Sequence, residues 1–161
     1  MINNDIKSSY DEHTYDSYSY AQTCIDYLCA VARFHGLAAA NPHNSKVLEI
    51  GCAMGGNIIG QAINHPNSTF IGIDLSSEQI SIGKRAIEGI GCKNIKLIEM
   101  DICNLVDEFG GKIEFDYIIC HGIYSWVPDF VRSAILQSCQ KLLSQNGVAF
   151  ISYNCYPGWK Y

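Results

Sequence analysis

Short apolar segments alternate along this chain with segments of helical periodicity, and this alternation is the feature that most limits its fold. The predicted strands cover residues 46–50, 69–73, 95–99, 115–119 and 148–152. The predicted helices cover residues 22–35, 57–64, 76–90 and 128–147. Strands separated by helices form parallel sheets, because a parallel neighbour is reached only by a crossover, which is usually a helix. The sequence therefore predicts one doubly wound α/β domain.

The composition is that of one folded domain rather than a disordered or membrane-spanning chain. The chain has 161 residues, of which 48% are hydrophobic and 17% charged, and its formal net charge is −5. This apolar content is enough for a core, and the acidic balance argues against a nucleic-acid partner, which needs clustered cations. No apolar run approaches the ~20 residues of a membrane span, and a signal-peptide core is absent. We therefore expect a cytoplasmic protein that binds neither membrane nor nucleic acid.

Eight cysteines occur in the chain, but their spacing is not that of a metal site or a disulfide framework. No C-x-x-C pair is present, and no pair resembles half of a zinc site with a histidine nearby. We expect free thiols, mostly buried as small apolar residues in a reducing compartment, and no bound metal.

The candidate site lies where the predicted strands end, because open parallel sheets bind ligands beyond the carboxyl ends of their strands. A glycine turn, Gly51 to Gly56, follows the first strand. Asp74, Asp101 and His121 follow or end the next three strands. Glycines let a backbone approach a ligand closely, and Asp74 lies at the spacing at which a carboxylate binds ribose hydroxyls. The pattern predicts nucleoside binding.

The ligand predicted for this site carries ribose and adenine but no phosphate. No Lys or Arg occurs between residues 46 and 84, whereas phosphate sites use such cations. Ala53 stands where a G-x-G-x-x-G dinucleotide fingerprint needs its second glycine. A positively charged ligand fits better, because Glu49, Asp74 and Asp101 all lie at these strand ends.

Four segments of the chain resemble the successive motifs of class I S-adenosylmethionine-dependent methyltransferases. They are Val47–Asn57 (VLEIGCAMGGN), Ile71–Ser76 (IGIDLS), Glu99–Ile102 (EMDI) and Phe115–Ile119 (FDYII). The resemblance spans residues 46–154. It implies a Rossmann-like, mostly parallel sheet of the class I methyltransferase type, S-adenosyl-L-methionine as the cofactor, and methyl transfer as the activity.

The resemblance also implies a role for each matching position. The loop from Gly51 to Gly55 would lie under the methionine part of the cofactor, with Glu49 organising the loop. Asp74 would bind the ribose, and Asp101 with Ile102 would bracket the adenine. The implied cofactor-binding set is Tyr18, Glu49, Gly51, Cys52, Ala53, Gly55, Asp74, Leu75, Asp101, Ile102 and His121.

A further resemblance is to bacterial methyltransferases that carry an appended methyltransferase-regulatory region. It rests on Ser9–Glu12, Tyr15–Tyr18, His121–Trp126 and Ser152–Trp159. Some of these relatives are protein-lysine methyltransferases, so the implied methyl acceptor is a protein lysine or a small molecule. These relatives are longer, and their sheet normally continues beyond a fifth strand. We therefore expect an incomplete sheet that lacks the last strands, with an open edge available for self-association.

Aromatic residues cluster near both ends of the sequence. Residues 1–40 are predicted to form an arm and a helix that close over the cofactor as a lid, and residues 41–161 are predicted to form the cofactor-binding core. The later cluster places Tyr124, Tyr153 and Asn154 where an acceptor would enter. His121 is a candidate for cofactor contact or for the catalytic base, and simple packing is the alternative for the aromatic side chains.

Two other functions remain compatible with the sequence. The first is an inactive, truncated cofactor-binding remnant, because strands of the implied sheet are missing. The second is a nicotinamide-dependent oxidoreductase of the same architecture, which Ala53 and the later motifs disfavour.

Overall fold

The computed structural model describes residues 17–156, and parallel strands form the centre of this part of the chain. The strands are β1 (Lys46–Ile50), β2 (Thr69–Asp74), β3 (Ile95–Glu99), β4 (Phe115–Cys120) and β5 (Leu143–Ile151). The α-helices are α1 (Ile25–Phe34), α2 (Gly56–Asn64), α3 (Ser77–Ile90), α4 (Leu105–Phe109) and α5 (Asp129–Leu142). Short 3-10 helices cover Ala21–Thr23, Pro42–Asn44 and Ile102–Asn104. Within residues 17–156, no helix has both the length and the apolar character needed to cross a bilayer.

The strand order is β3-β2-β1-β4-β5, and every pairing is parallel. Ile50 of β1 pairs with Ile73 of β2 on one side and with Cys120 of β4 on the other. The chain winds outward from β1 to β3 and then returns to β4, so the direction of winding reverses beside β1. Ligands bind at such a switch point in open parallel sheets. The predicted parallel α/β sheet is confirmed, and the switch point lies beyond Ile50.

Alternate strand residues supply two apolar clusters, one on each face of the sheet. In β1, Val47 belongs to the cluster shared with α1, α2 and α3, whereas Leu48 belongs to the cluster shared with α4 and α5. Each fully buried aliphatic side chain contributes about 1.5–3 kcal/mol. The apolar runs of β1 and β4 are nearly continuous because both faces of these strands are buried by helices.

Four of the five predicted strands are confirmed, and the fifth begins earlier than predicted. β5 starts at Leu143, directly after α5, rather than at residue 148. Phe115 pairs with Leu143 but Tyr117 pairs with Val148, so β5 accommodates extra residues in a bulge. The bulge interrupts the regular alternation by which a strand is recognised in a sequence. β5 also forms one edge of this sheet, and self-association through it stays a prediction.

The helices differ from the prediction mainly at their ends. The predicted helix at residues 22–35 is shorter, because Ala21–Thr23 forms a 3-10 helix and α1 begins only at Ile25. The predicted continuation of the last helix toward Gly147 is wrong, since α5 ends at Leu142. The short helix α4 was not predicted, although its two buried residues, four positions apart, were an available signal.

The predicted capping box at the start of α3 forms only in part. Ser76 Oγ accepts a hydrogen bond from the Gln79 N–H at 3.3 Å, as predicted. The Ser76 N–H donates to Asp74 Oδ1 at 3.0 Å instead of to the Gln79 side chain. Among the described residues, no group hydrogen-bonds Gln79 Oε1. Asp74 therefore accepts the hydrogen bond from the Ser76 N–H that the Gln79 side chain would accept in a complete capping box.

All eight cysteines lie in the described part of the chain as free thiols. Half of them are buried, so the expectation that most would be buried is wrong. The buried residues are Cys29, Cys52, Cys120 and Cys139. Cys103 and Cys155 are exposed, because Cys103 lies in the 3-10 helix after β3 and Cys155 lies in the irregular segment after β5, rather than in the apolar runs.

Candidate active site

The loop between β1 and α2 is held against the end of β2 by its own backbone. The N–H groups of Gly51 and Cys52 both donate to the Ile73 carbonyl oxygen, at 2.8 and 2.9 Å. Gly51 has φ +70°, a conformation that favours glycine, and a Cβ at this position would also displace the end of the Ile123 side chain. Gly55, with φ +82°, is the N-cap of α2. The predicted glycine turn therefore carries the chain from the centre of the sheet into α2.

Ala53 adopts a backbone conformation that is unusual for alanine. Its φ is +50°, and no other non-glycine residue among residues 17–156 has a positive φ. This left-handed conformation costs an L-residue about 1–2 kcal/mol. The Ala53 N–H donates to Asp74 Oδ2 at 2.8 Å, and this charge-assisted hydrogen bond offsets the strain. The loop tolerates alanine at this position because Asp74 holds it.

Asp74 joins three elements through its carboxylate. In addition to the Ala53 N–H, it accepts a hydrogen bond from the Ser76 N–H at 3.0 Å. The glycine loop, the end of β2 and the start of α3 are thereby linked at one side chain. Ribose binding by Asp74 stays a prediction, and holding the loop is a role that the sequence did not reveal.

Glu49 is a buried carboxylate directly before the glycine loop. Its side chain is only 4% exposed, and Oε1 accepts a hydrogen bond from Asn57 Nδ2 at 2.6 Å. No described residue hydrogen-bonds Oε2. Burial raises the pKa of Glu49 from its usual 4.5 to about 8, the Asn57 hydrogen bond opposes this rise, and the nearby Asp74 charge adds to it. Glu49 is therefore mostly protonated at neutral pH.

Asn57 connects Glu49 to residues 17–25, which we call the N-terminal segment. Because Asn57 Nδ2 donates to Glu49, its Oδ1 remains to accept hydrogen bonds. Oδ1 accepts from the Tyr20 N–H at 3.1 Å and from the Thr23 hydroxyl at 2.9 Å. One buried amide thus ties the N-terminal segment to the carboxylate beneath the glycine loop.

Two further contacts hold the N-terminal segment on α2. Gln61 Oε1 accepts a hydrogen bond from the Ile25 N–H at 3.0 Å. Ser17 Oγ accepts one from the Gly56 N–H at 2.8 Å, and a Cβ on Gly56 would overlap the Ser17 carbonyl oxygen. The N-terminal segment therefore lies on the first turn of α2, beside the glycine loop. The division of the chain into a lid and a core stays a prediction, and the arm before Ser17 lies outside the described residues.

Replacing Gly56 with alanine is expected to displace the N-terminal segment while α2 remains helical. The new Cβ meets Ser17 backbone, and such overpacking typically costs about 1–3 kcal/mol. Amide hydrogen exchange checks the result, since the Tyr20 N–H should lose protection. Gly60 on the same helix is the matched control, because nothing beyond the adjacent backbone of α2 itself lies within 4 Å of where its Cβ would be. Gly60→Ala should instead stabilise the protein by about 0.5–1 kcal/mol, and unchanged Tyr20 protection in Gly56→Ala would contradict this description of the segment.

A cavity of about 480 Å³ lies beyond the ends of β2 and β3 and has a largely acidic lining. Its lining residues are Leu75, Glu99, Met100, Asp101, Asn104, Asp107 and Glu108. Leu75 and Asp101, both predicted cofactor residues, thus lie in one cavity, and Ile102 packs against the apolar cluster of the α4 and α5 face. Asp101 Oδ1 also accepts from the Cys103 N–H at 2.9 Å. Despite the acidic lining, no group of three potential metal ligands occurs within residues 17–156.

His121 follows β4 at the switch point, and its ring is packed on several sides. Nδ1 lies 2.9 Å from Ser152 Oγ, beyond the end of β5. The Tyr20 ring makes an edge contact at a centroid distance of 4.3 Å, and the Phe150 ring lies 6.0 Å away. Burial lowers the pKa of His121 below its usual value of 6.5. The imidazole is therefore neutral at pH 7.

A second cavity, of about 210 Å³, brings together three predicted acceptor-site residues. It is lined by Tyr124, Ser125, Arg132, Tyr153 and Asn154. The Asn154 N–H donates to Ser125 Oγ at 2.7 Å, and Arg132 Nε donates to the Tyr124 carbonyl oxygen at 3.0 Å. Arg132 thus holds the loop after β4 against α5. Acceptor binding by Tyr124, Tyr153 and Asn154 stays a prediction, although the structure brings these residues together.

Two predicted cofactor residues are placed differently from the others. The Cys52 side chain is buried in the core against Gly72, and its thiol donates a hydrogen bond to the Ala53 carbonyl oxygen at 3.6 Å. Tyr18 is 60% exposed on the N-terminal segment.

Four residues of the site were missed in the sequence. Asn57 and Gln61 are buried polar residues four positions apart on α2, and that spacing on an otherwise apolar helix face was an available signal. Ser17 and Ser152 offered no such signal, because their partners lie 39 and 31 positions away along the chain.

Comparison with known proteins identifies relatives of this chain. A family model described as "Methyltransferase domain" matches residues 48–149. The uncharacterised protein RP789 of Rickettsia prowazekii (strain Madrid E) is 47% identical over 150 residues, which cover 93% of this chain and 27% of that protein. The ubiquinone biosynthesis O-methyltransferase of Actinobacillus pleuropneumoniae serotype 5b (strain L20) is 33% identical over 109 residues, which cover 66% of this chain and 44% of that enzyme.

The solved structures include one of PKMT2 from Rickettsia typhi in complex with AdoHcy. It superposes with a TM-score of 0.85 at 40% sequence identity, over 91% of this chain and 28% of that one. The chain thus spans less than a third of the length of RP789 and of PKMT2. The family match runs from β1 into β5 and includes the glycine loop, Asp74 and Asp101. This chain belongs to the methyltransferase domain family.

Proposed function

We propose that this chain forms the cofactor-binding part of an S-adenosylmethionine-dependent methyltransferase. The observation that carries the proposal is the buried Glu49 carboxylate beneath the glycine loop, one oxygen of which no described residue satisfies. Burying a polar group without a partner is costly, and a cationic group of a ligand would pair it. S-adenosylmethionine carries an ammonium and a sulfonium cation and no phosphate. It suits strand ends that carry carboxylates, and residues 47–83, which contain no Lys or Arg.

The residues beyond the strands fit the parts of this cofactor in order. Glu49 Oε2 would pair with the ammonium of the methionine part. Asp74 would accept hydrogen bonds from the ribose hydroxyls, and the cavity with Leu75 and Asp101 would take the adenine. When bound, the cofactor supplies a methyl group on a sulfonium. The AdoHcy complex of the related PKMT2 supports the choice of cofactor.

We place the methyl acceptor in the second cavity and propose a protein lysine as its class. The support for lysine is the resemblance of the sequence to protein-lysine methyltransferases. A lysine must react as the neutral amine, and removing its proton at pH 7 costs roughly 4 kcal/mol. Arg132 lines the cavity, and a nearby positive charge favours the neutral form of an amine. Tyr124, Tyr153 and Asn154 would then orient the amine toward the methyl group, and positioning can supply about 7–11 kcal/mol of catalysis.

Thermal denaturation with S-adenosylhomocysteine, and separately with NADH, tests the proposal. Ligand at a hundredfold excess over Kd should stabilise the protein by about 2.7 kcal/mol. We expect S-adenosylhomocysteine to raise Tm by several degrees and NADH to leave it unchanged. Incubation with labelled S-adenosylmethionine and protein substrates, followed by amino-acid analysis, then tests for methyl-lysine.

The opposite results would each favour an alternative. A shift with NADH alone would support a nicotinamide-dependent oxidoreductase. A cooperative melt that neither ligand shifts would support an inactive remnant, and label recovered on an amino acid other than lysine would overturn the acceptor class alone.

A further inference from the structure

Ser152 and His121 are brought together by the pairing of β4 with β5. The Ser152 N–H donates to the Cys120 carbonyl oxygen at 3.0 Å, which extends the ladder beyond Ile151. The Ser152 hydroxyl then lies between two consecutive residues of the neighbouring chain segment. Its Oγ is 2.8 Å from the Gly122 nitrogen and 2.9 Å from His121 Nδ1.

The donors and acceptors at this hydroxyl favour one direction for its proton. A backbone N–H can only donate, so Ser152 Oγ accepts from Gly122. The hydroxyl hydrogen can then donate to His121 Nδ1, 2.9 Å away. A hydroxyl that accepts one hydrogen bond also becomes a better donor for the next. With Nδ1 accepting, the proton of a neutral imidazole must lie on Nε2.

The surroundings of the ring favour the neutral imidazole and hold its orientation. Burial disfavours the charged form of His121. Tyr20 contacts one side of the ring and Phe150 lies against another, so rotation of the imidazole is hindered. Within residues 17–156, no group hydrogen-bonds Nε2. Nε2–H is thus available to a ligand.

We propose that Ser152 is a positioning residue that holds His121 as the Nε2–H tautomer, so that His121 donates a hydrogen bond to the ligand instead of accepting a proton. The ligand group that fits a neutral donor is an anionic oxygen. His121 follows β4 next to β1, where Glu49 pairs with Ile119. The carboxylate of the methionine part would therefore bind His121 while its ammonium pairs with Glu49. This identification of the ligand group rests on the proposed function, and it excludes His121 as the catalytic base.

Nitrogen NMR of the histidine side chains tests the tautomer in the full, ligand-free chain. The His121 resonances are assigned by their absence from the spectrum of His121→Gln. We expect Nδ1 to resonate as an unprotonated nitrogen and Nε2 as a protonated one at neutral pH. Ser152→Ala should give a mixture of tautomers, and Ser152→Thr, which keeps the hydroxyl, should restore one. A protonated Nδ1 in the wild-type chain would overturn the proposal, as would an unchanged tautomer in Ser152→Ala.

Titration with S-adenosylhomocysteine tests the consequence for binding. Ser152→Ala should weaken affinity about tenfold, the usual worth of one well-formed hydrogen bond, and Ser152→Thr should recover most of it. Equal affinity in wild type and Ser152→Ala would show that Ser152 does not position His121 for the ligand. If the wild-type chain binds no S-adenosylhomocysteine, the proposed function fails, and the NMR result still decides the tautomer independently.

Discussion

Replacing Asp74 with alanine is expected to weaken S-adenosylhomocysteine binding by about 100-fold or more. If Asp74 binds the ribose, the change removes charge-assisted hydrogen bonds worth about 1.5–3 kcal/mol each. It also releases the Ala53 N–H, whose hydrogen bond offsets the strain at φ +50°. Both effects weaken binding, and the second also loosens the loop under the methionine part of the cofactor. Isothermal titration calorimetry measures the affinity, and denaturation measures the accompanying loss of stability, which we expect to be about 2–4 kcal/mol.

Asp116 provides the matched control for this change. It lies near the start of β4, at the end of the sheet opposite the site, and its carboxylate accepts from the Lys46 N–H and the Ser144 hydroxyl, both at 2.9 Å. Asp116→Ala should therefore lose similar stability and bind S-adenosylhomocysteine with wild-type affinity. Equal affinity losses in the two variants would mean that the Asp74 effect is only general destabilisation. Wild-type affinity in Asp74→Ala would remove Asp74 from the binding site.

Glu49→Gln is expected to make the ligand-free protein more stable than wild type at pH 8 and equally stable near pH 4.5. The folded-state pKa of Glu49 is raised to about 8 from 4.5. Its favourable contribution is therefore fully present below pH 4.5 and is lost as the pH rises through 8. By this linkage the wild type loses about 4 kcal/mol across the interval. Glutamine carries no titrating proton, so denaturation curves of the two proteins should diverge as the pH rises.

The exposed Glu88 on α3 supplies the control, since Glu88→Gln removes a carboxylate without changing a buried site. Its stability should follow the wild-type curve at each pH. Parallel curves for Glu49→Gln and wild type would contradict the raised pKa of Glu49.

Glu49→Gln should weaken ligand binding, although it stabilises the ligand-free protein at pH 8. If Glu49 pairs with the ammonium of the cofactor, binding ionises the carboxylate, so wild-type affinity should rise between pH 6 and pH 8. Calorimetry in buffers of different ionisation enthalpy should detect about one proton released per ligand at pH 7. Glu49→Gln should bind more weakly and without this proton release. Such an opposition between stability and binding is expected where a buried charge serves function.

Much of the fold was predictable because its signals are local. The apolar run of β1 and the glycines after it lie next to each other in the sequence, and a parallel sheet follows from the helices between the strands. The β5 start was not predictable in this way. It depends on a bulge opposite Phe115, which arises from pairing with a strand 28 positions earlier.

The same distinction between local signals and long-range contacts applies to the candidate site. The positions of Gly51, Asp74 and Asp101 at one edge of the sheet could be predicted from the sequence, because each lies at or just after the end of a strand and strand ends of a parallel sheet meet at one edge. Their hydrogen-bond partners could not. Asp74 was expected to contact a ligand, yet it also holds the glycine loop through Ala53, 21 positions away.

The sequence by itself determined the α/β architecture, the order of its strands and helices, and the edge of the sheet at which the candidate site residues lie, because periodicity, glycine and crossover rules act over a few residues. Only the tertiary structure decided how the charges at that edge behave. The pKa of Glu49 depends on the depth of its burial and on Asn57, and the tautomer of His121 depends on Ser152. Both are set by segments distant in the chain that meet only on folding, and the strength of an electrostatic interaction depends on the solvent that folding removes.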